Sequence, residues 1–276
     1  MPRPRRFAQV DVFTAKPLDG NPVAVILDGE GLGDAEMQQI ALWTNLSETT
    51  FVFPPSEAGA DYHVRIFTRT EELPFAGHPT LGTAHAVVSA GIAAPKDGKL
   101  VQQCAAGLVE VSVGNEGLSF RLPRFVPRAA IDAEELPSIL GIASISGAEV
   151  IDTGPHWLVA KVDDVAALAP DPQQLLVHIT ENGATGLTAY SETGPGEIAM
   201  RSFFFVDGLV EDPVCGSGNA AVAVHRIRTG AIGDGDAYLA RQGMQIGRNG
   251  EVRVRIEGGE VHVGGQCVTC VEGSFH

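Results

Sequence analysis

The sequence predicts an α+β protein of two pseudo-symmetric halves, each a mixed, mostly antiparallel sheet wrapped around one buried central helix. Three observations predict it. The stretch EDPVCGSGNAAVAVHRIR, Glu211 to Arg228, reads as a turn, a glycine-serine-glycine corner and a helix. Ala220, Ala221, Val222, Ala223 and Val224 leave that helix no polar face before His225, so its domain must enclose it. The design recurs in ELPFAGHPTLGTAHAVVSAG at a shift of 139 (211 − 72), where Glu72 matches Glu211, Pro74 Pro213, Gly77 Gly216, Ala84 Ala223 and Gly91 Gly230. Five identities at one spacing mark a duplication, and each copy also follows an Arg-x-Phe strand, Arg65-Ile66-Phe67 and Arg201-Ser202-Phe203. Third, strand patterns outnumber helical ones and short turns join most of them, which favours antiparallel neighbours.

The first half opens with strands expected over Phe7–Thr14, Val23–Asp28 and Thr50–Phe53. Between them Met37, Ile40, Ala41 and Thr44 share one side of a helix over Asp34–Asn45, with Asp34 as its N-cap. A strand over Tyr62–Thr68 leads to the first buried helix, His78–Ala90, and then to hairpin strands through Leu122 with a corner at Asn115-Glu116-Gly117. Pro123–Pro127 is the expected boundary, dividing the chain into 1–126 and 127–276. The second half begins with a short helix at Asp132–Leu140, followed by strands at Ala148–Asp152, His156–Val162, Gly186–Tyr190 and Ile198–Phe205. Gln173–Ile179 fits a helix better than a strand. The second buried helix follows and ends at Gly230, a left-handed stop; the chain then alternates through strands Glu251–Ile256 and Val261–Val268.

Composition narrows the function. A chain of 276 residues with 44% hydrophobic and 19% charged residues has material for two globular cores. The net charge of −15 argues against nucleic acid or an anionic membrane as partner. No apolar run reaches membrane-spanning length, and the basic opening Pro2-Arg3-Pro4-Arg5-Arg6 reads as a frayed, solvated terminus, so the expected address is the cytoplasm. Four cysteines do not make a disulfide scaffold at this length. Cys267 and Cys270 lie three apart in a strand pattern, their sulfurs on opposite faces, and no second ligand pair for zinc exists. Cys104 reads as a buried strand residue.

The chemistry gathers at the two helix starts. Glycines at 77, 216 and 218 are expected to leave the first backbone N–H groups uncovered, ready for an anion. If an approximate twofold relates the halves, both starts converge across an interdomain cleft on a small carboxylate. Tight glycine corners also serve simply to start a helix close to a sheet, and that alternative stands beside the first. His78 and Ser217 occupy equivalent places one residue past Gly77 and Gly216. His85, two turns beyond His78, reads as a packed helix histidine, too far away to share a metal with it. The pattern Gly216-x-Gly218-x-x-Ala221 lacks the strand that a dinucleotide site requires, because Pro213 interrupts it. Ser217 lacks the hydrolase elbow, having Cys215 in the first glycine's place.

DVFT…GNPVAVI near Asp11–Ile26, NLSETTFV at Asn45–Val52, LPFAGHPTLG at Leu73–Gly82 and EDPVCGSG at Glu211–Gly218 together resemble the PhzF family of phenazine-biosynthesis-like isomerases. The likeness covers nearly the whole chain, and it implies the diaminopimelate epimerase fold with an active site between two domains. It implies a homodimer and a cofactor-independent isomerase of a small carboxylated metabolite, with no metal. From the residues alone Glu48 reads as an ordinary exposed glutamate at a strand end; the resemblance instead places it at the family's catalytic carboxylate, where partial burial beside Phe51-Val52-Phe53 would raise its basicity for proton abstraction and return. His78, Asp212 and Ser217 are carried over as orienting or proton-relaying groups, although capping and turn formation also account for Asp and Ser there. Gly77, Cys215, Gly216 and Gly218 are the expected substrate-binding positions.

Cys215 departs from the threonine common in the family and resembles the thiol of diaminopimelate epimerase. Its counterpart is Ala76 (215 − 139), so a two-thiol racemisation is excluded by residue type. A single-thiol epimerase or dehydratase of an amino or hydroxy acid remains open, since a cysteine at a helix N-terminus can ionise easily. A non-catalytic small-ligand binding protein is the third reading.

Overall fold

The computed structural model describes residues 3–122, 125–131, 133–206 and 208–276. Positions 123 and 124 of the expected boundary, Asp132 at the expected helix start, and Pro2 lie outside the described residues. Contacts divide the chain into two units, Met1–Arg121 with Gly264–His276, and Leu122–Val263.

In the first unit, apolar alternation produces β1 (Arg5–Val12) and β2 (Asn21–Ile26), an antiparallel pair. Helix α1 (Asp34–Thr44) buries Met37, Ile40 and Ala41 against a cluster containing Ile26, Phe51 and Phe67. Its N-cap is Gly33, whose N–H donates to the Glu36 carboxylate at 2.9 Å, and Asp34 is already helical, one residue past its expected place. Then come β3 (Thr49–Phe53), β4 (Tyr62–Phe67) and the short β5 (Glu72–Leu73). Helix α2 (Gly77–Ser89) stops before Gly91, at φ 68°, and β6 (Lys99–Cys104), β7 (Gly107–Gly114) and β8 (Gly117–Arg121) follow. Arg5 corrects the expectation of a frayed start: it is 1% exposed, and its guanidinium donates to the Glu30 carbonyl at 2.9 Å.

The second unit runs through β9 (Val126–Ala130), α3 (Leu136–Leu140), β10 (Ile145–Asp152), β11 (His156–Val162), α4 (Pro172–Glu181), β12 (Gly186–Gly194), β13 (Glu197–Phe205) and β14 (Leu209–Asp212). Helix α5 (Gly216–Arg228), β15 (Ala237–Gln242), β16 (Gly250–Glu257) and β17 (Glu260–Gly265) complete it. The single strand expected at Val261–Val268 is two, since the chain leaves β17 at Gln266 and enters β18 (Cys267–Phe275). That last strand pairs antiparallel with β1, returning the end of the chain to the first unit. A division of the chain at 126/127 follows chain order, whereas this strand follows pairing.

The duplication extends from residues to topology. In unit one, β2 lies parallel to β3, β3 antiparallel to β4, β4 parallel to β6, and β6 antiparallel to β7. In unit two the same succession links β11, β12, β13, β15 and β16. Helices α2 and α5 each have 13 residues and start 139 apart (216 − 77). Both are almost wholly buried: α2 packs on β1, β2 and β3, and α5 on β10, β11 and β12. Gly82 lets α2 come this close, because a Cβ there would stand 2.4 Å from Val23 Cγ1 and 2.9 Å from Val12 Cγ2.

A repeated brace leads into each buried helix. Arg65 lies over the Phe67 ring at 5.2 Å and its Nε donates to Glu72 at 2.7 Å. Arg201 lies over Phe203 at 4.9 Å, and its guanidinium makes a two-pronged contact with Glu211 at 3.0 and 2.8 Å. The planar fork suits both tasks, so lysine would not replace it.

Candidate active site

Each unit carries a group of polar side chains at the start of its buried helix. In the first, Asn45 turns the chain out of α1 with φ 57° and delivers Glu48 to the head of β3. The next two residues, Thr49 and Thr50, are fully buried, and Thr50 Oγ1 meets Thr83 Oγ1 of α2 at 2.8 Å, tying the helix to this strand. The tie brings the second residue of α2 to the carboxylate: His78 Nδ1 lies 3.4 Å from Glu48 Oε2. His78 is 7% exposed, and burial lowers it to about 4, partly offset by the Pro22 backbone. A neutral imidazole therefore meets the carboxyl group near pH 7, and the contact is polar without being an ion pair. His78 Nε2 is buried and has no hydrogen-bond partner among the described residues. No side chain caps α2, whose third residue is Pro79. Gly77 brings the helix against Phe120, whose Cζ would be 2.7 Å from an added Cβ.

In the second unit Asp212 ends β14, and its Oδ1 accepts the Val214 N–H at 3.0 Å. Burial pushes its carboxyl up to about 6; the Val214 amide and the Cys215 thiol pull it back, and Glu211's charge adds to the rise. Ser217 Oγ accepts from Trp157 Nε1 at 3.0 Å, and its carbonyl accepts from Thr153 Oγ1 at 3.2 Å.

Two expectations change here. Cys215 caps α5, its Sγ accepting the Gly218 N–H at 3.2 Å, so that amide is not uncovered. Gly218 is required instead for close packing, since a Cβ would meet Ser202 Oγ at 2.9 Å and Cys215 Sγ at 3.1 Å. Nor does the helix start make the thiol acidic. Burial foremost, then the charge of Asp212, holds it well above its ordinary value, outweighing the Ser217 and Gly218 contacts. That arrangement weakens the single-thiol reading.

Among the described residues, no three His, Cys, Asp or Glu side chains gather to hold a metal ion. The four cysteines are free, with Cys104 and Cys215 buried. His85 packs as expected, its Nε2 3.0 Å from Thr269 Oγ1.

The family model described as "Phenazine biosynthesis-like protein" (PhzC-PhzF) matches residues 10–273. The chain belongs to the PhzC-PhzF family. "Antisense-enhancing sequence 1" of Schizosaccharomyces pombe is 40% identical, with 97% of each chain covered. A trans-2,3-dihydro-3-hydroxyanthranilate isomerase of Pseudomonas aeruginosa is 34% identical, covering 97% of this chain and 94% of its own. A PhzF-family phenazine biosynthesis protein of Bacillus anthracis superposes with TM-score 0.84 at 24% identity, covering 99% of both chains. A hydroxyproline epimerase from Agrobacterium vitis shares the fold alone, with TM-score 0.70 at 14% identity, over 99% of this chain and 91% of its own. The PhzF-family chain described here is an isomerase with the epimerase-like fold.

Within this PhzF-family chain, the residues singled out from sequence fall into two sets: Glu48, Gly77 and His78 in one unit, and Asp212, Cys215, Gly216, Ser217 and Gly218 in the other. Sequence reasoning missed Trp157 and Thr153, which bond to Ser217, Gln242, which bonds to Asp212 and Cys215, Asn219, which bonds to Cys215, and Gln102, which bonds to Thr80 in the first turn of α2. For the glutamines a signal existed. Each occupies an inward position of an alternating strand, where a polar side chain must find a partner.

Proposed function

We propose that this isomerase moves a proton within a small carboxylated metabolite, with Glu48 as the base that takes it and gives it back. The observation carrying this reading is the Glu48–His78 contact of 3.4 Å, at the first turn of a buried helix. A C–H bond next to a conjugated system breaks toward the Glu48 carboxylate, and its electron pair becomes a new π bond. The displaced π pair takes the proton at a distant carbon of the same molecule, so nothing is oxidised or reduced. His78, neutral near pH 7, orients the carboxyl and the substrate. The amides of Gly77 and His78 at the start of α2 receive the substrate carboxylate, that helix end contributing about 0.3–1 kcal/mol, more where water is excluded. In the second unit, Asp212 and Ser217 are proposed as orienting or proton-relaying groups.

The relative's substrate, trans-2,3-dihydro-3-hydroxyanthranilate, has the required carboxylate and conjugation and is the first compound to test. In heavy water the wild-type protein should isomerise it and wash deuterium into the product. Glu48→Gln should lose both by at least about a thousandfold while keeping its melting temperature, because general-base catalysis is removed without removing packing. Full turnover in that variant would refute the assignment. We also propose the homodimer that the family resemblance implies and the cytoplasmic address expected from the sequence; light scattering of the purified chain tests the first, and cell fractionation the second.

A further inference from the structure

We propose that Gln102 and Gln242 are a matched pair of positioning residues, each fixing the first turn of the buried helix in its own unit, and with it the reactive groups on that turn. The proposal rests on the reading above for what those groups do.

Both glutamines are 0% exposed. Gln102 lies on β6 between the inward residues Leu100 and Cys104, and Gln242 follows the inward Tyr238 and Ala240 on β15. Their strands are topological equivalents, each parallel to the middle strand of its unit, with Gln102 opposite Tyr62 and Gln242 opposite Met200. Both side chains reach the fourth residue of the buried helix. Gln102 Nε2 donates to Thr80 Oγ1 at 2.9 Å, while its Oε1 accepts from Tyr62 Oη at 3.1 Å. Gln242 Oε1 lies 3.4 Å from Asn219 Nδ2 and accepts the Cys215 N–H at 3.1 Å, and its Nε2 donates to the Asp212 carbonyl at 2.9 Å. Thr80 and Asn219 are themselves 139 apart (219 − 80), yet Gln242 aligns by that shift with Gln103 (242 − 139). Pairing does not superpose the two glutamines either: Arg65 and Arg201 correspond at a shift of 136 (201 − 65), so the counterpart of Tyr62 is Ile198, which lies opposite Ala240, and the glutamines reach the same helix position from strand positions two residues apart.

The chemistry explains why an amide serves here. It donates and accepts at once, so a single uncharged side chain satisfies groups on both sides in a dry interior. In unit two it grips the turn at Asp212, at Cys215 and at the helix, with Ser217 between the last two contacts. Losing those bonds leaves buried peptide groups unpaired and lets the turn drift, and a drift of about 1 Å costs on the order of a hundredfold in rate.

The test uses the full chain with Gln102→Leu and Gln242→Leu, following His78 and Asp212 by NMR titration and isomerisation by kcat and KM. Gln242→Leu should lower the Asp212 midpoint from about 6 as water reaches the loosened turn, and leave His78 unmoved. Gln102→Leu should raise the His78 midpoint from about 4 and leave Asp212 unmoved. Each should lower kcat by about ten- to a hundredfold with KM held within about threefold. If the leucine variants do not fold, Thr80→Val cuts the Gln102 bond from the helix side, and Asn219→Ala cuts the helix contact of Gln242 together with the Asn219 bond to the Cys215 carbonyl; each should move the same midpoint in the same direction as its leucine partner. Unchanged midpoints, or both midpoints moving in either variant as general loosening would produce, overturn the proposal. Selective shifts without turnover in any protein, wild type included, support the positioning role and overturn the functional reading instead.

Discussion

His78 Nδ1 stands 3.4 Å from Glu48 Oε2, joining the first turn of α2 to the head of β3. The imidazole is too deeply buried to carry charge near neutrality, so the carboxylate meets a hydrogen-bonding ring in place of a cation.

The burial of His78 has a cost in acid. Its folded pKa, about 4, is below the ordinary 6.5, so it imposes no penalty above 6.5. As pH falls from 6.5, the unfolded chain takes a proton that the folded one refuses until about 4, and stability is lost across that window. The loss is on the order of 3 kcal/mol. His78→Gln should flatten this part of the stability profile in urea titrations at stepped pH; a slope equal to wild type would contradict it.

Asp212 works with the opposite sign. Its folded pKa of about 6 exceeds the ordinary 3.8, so its contribution is fully present below 3.8 and is lost as pH rises through 6. Asp212→Asn retains an oxygen for the Val214 N–H and removes the ionisation. Its melting temperature relative to wild type should improve between pH 4 and pH 7.5, and the limb of the rate profile near pH 6 should disappear. Melting curves at both pH values and a pH–rate series decide this.

Cys215→Ser should retain activity within about tenfold, since serine is a good cap for the Gly218 N–H and the thiol is not needed as a base. Wild-type Cys215 should also resist iodoacetamide at pH 8, where reaction requires thiolate. Rapid alkylation, or abolished turnover in the serine variant, would restore the thiol as the working group.

Gly82→Ala tests how closely α2 rests on its sheet. The new methyl would lie 2.4 Å from Val23 Cγ1, so the helix or the valine must move. Overpacking of this kind costs about 1–3 kcal/mol. A thermal unfolding temperature equal to wild type would show that the contact yields freely.

The buried helices were legible because their signal is local: a run without polar residues, a glycine before it and a glycine after it. Gly91 and Gly230 indeed take left-handed angles, φ 68° and 72°. The helix over Pro172–Glu181 was less plain, because Gln173–Ile179 carries polar residues and reads as either strand or helix, with helix the better fit. What was not readable depends on pairing. Alternation in Cys267–Phe275 announces a strand but does not say that β1 is its neighbour. Trp157 looks like ordinary strand filling until its indole is seen donating to Ser217, 60 residues away. Glu48, His78, Asp212 and Ser217 were named through likeness to a family; the residues that hold them came only from coordinates. Cys215 shows the limit of local rules, because a helix start favours thiolate and burial reverses the outcome.

The return of β18 to β1 sets an order on biosynthesis. Residues 267–275 emerge from the ribosome after everything in Leu122–Val263, so the second unit has all of its strands while the first still lacks one. The opening segment must wait with β1 open on one side, a long-range closure of the kind that slows folding and invites mispairing. Shortening the chain by its final strand should therefore injure the part translated earliest, leaving the part translated last as the intact one.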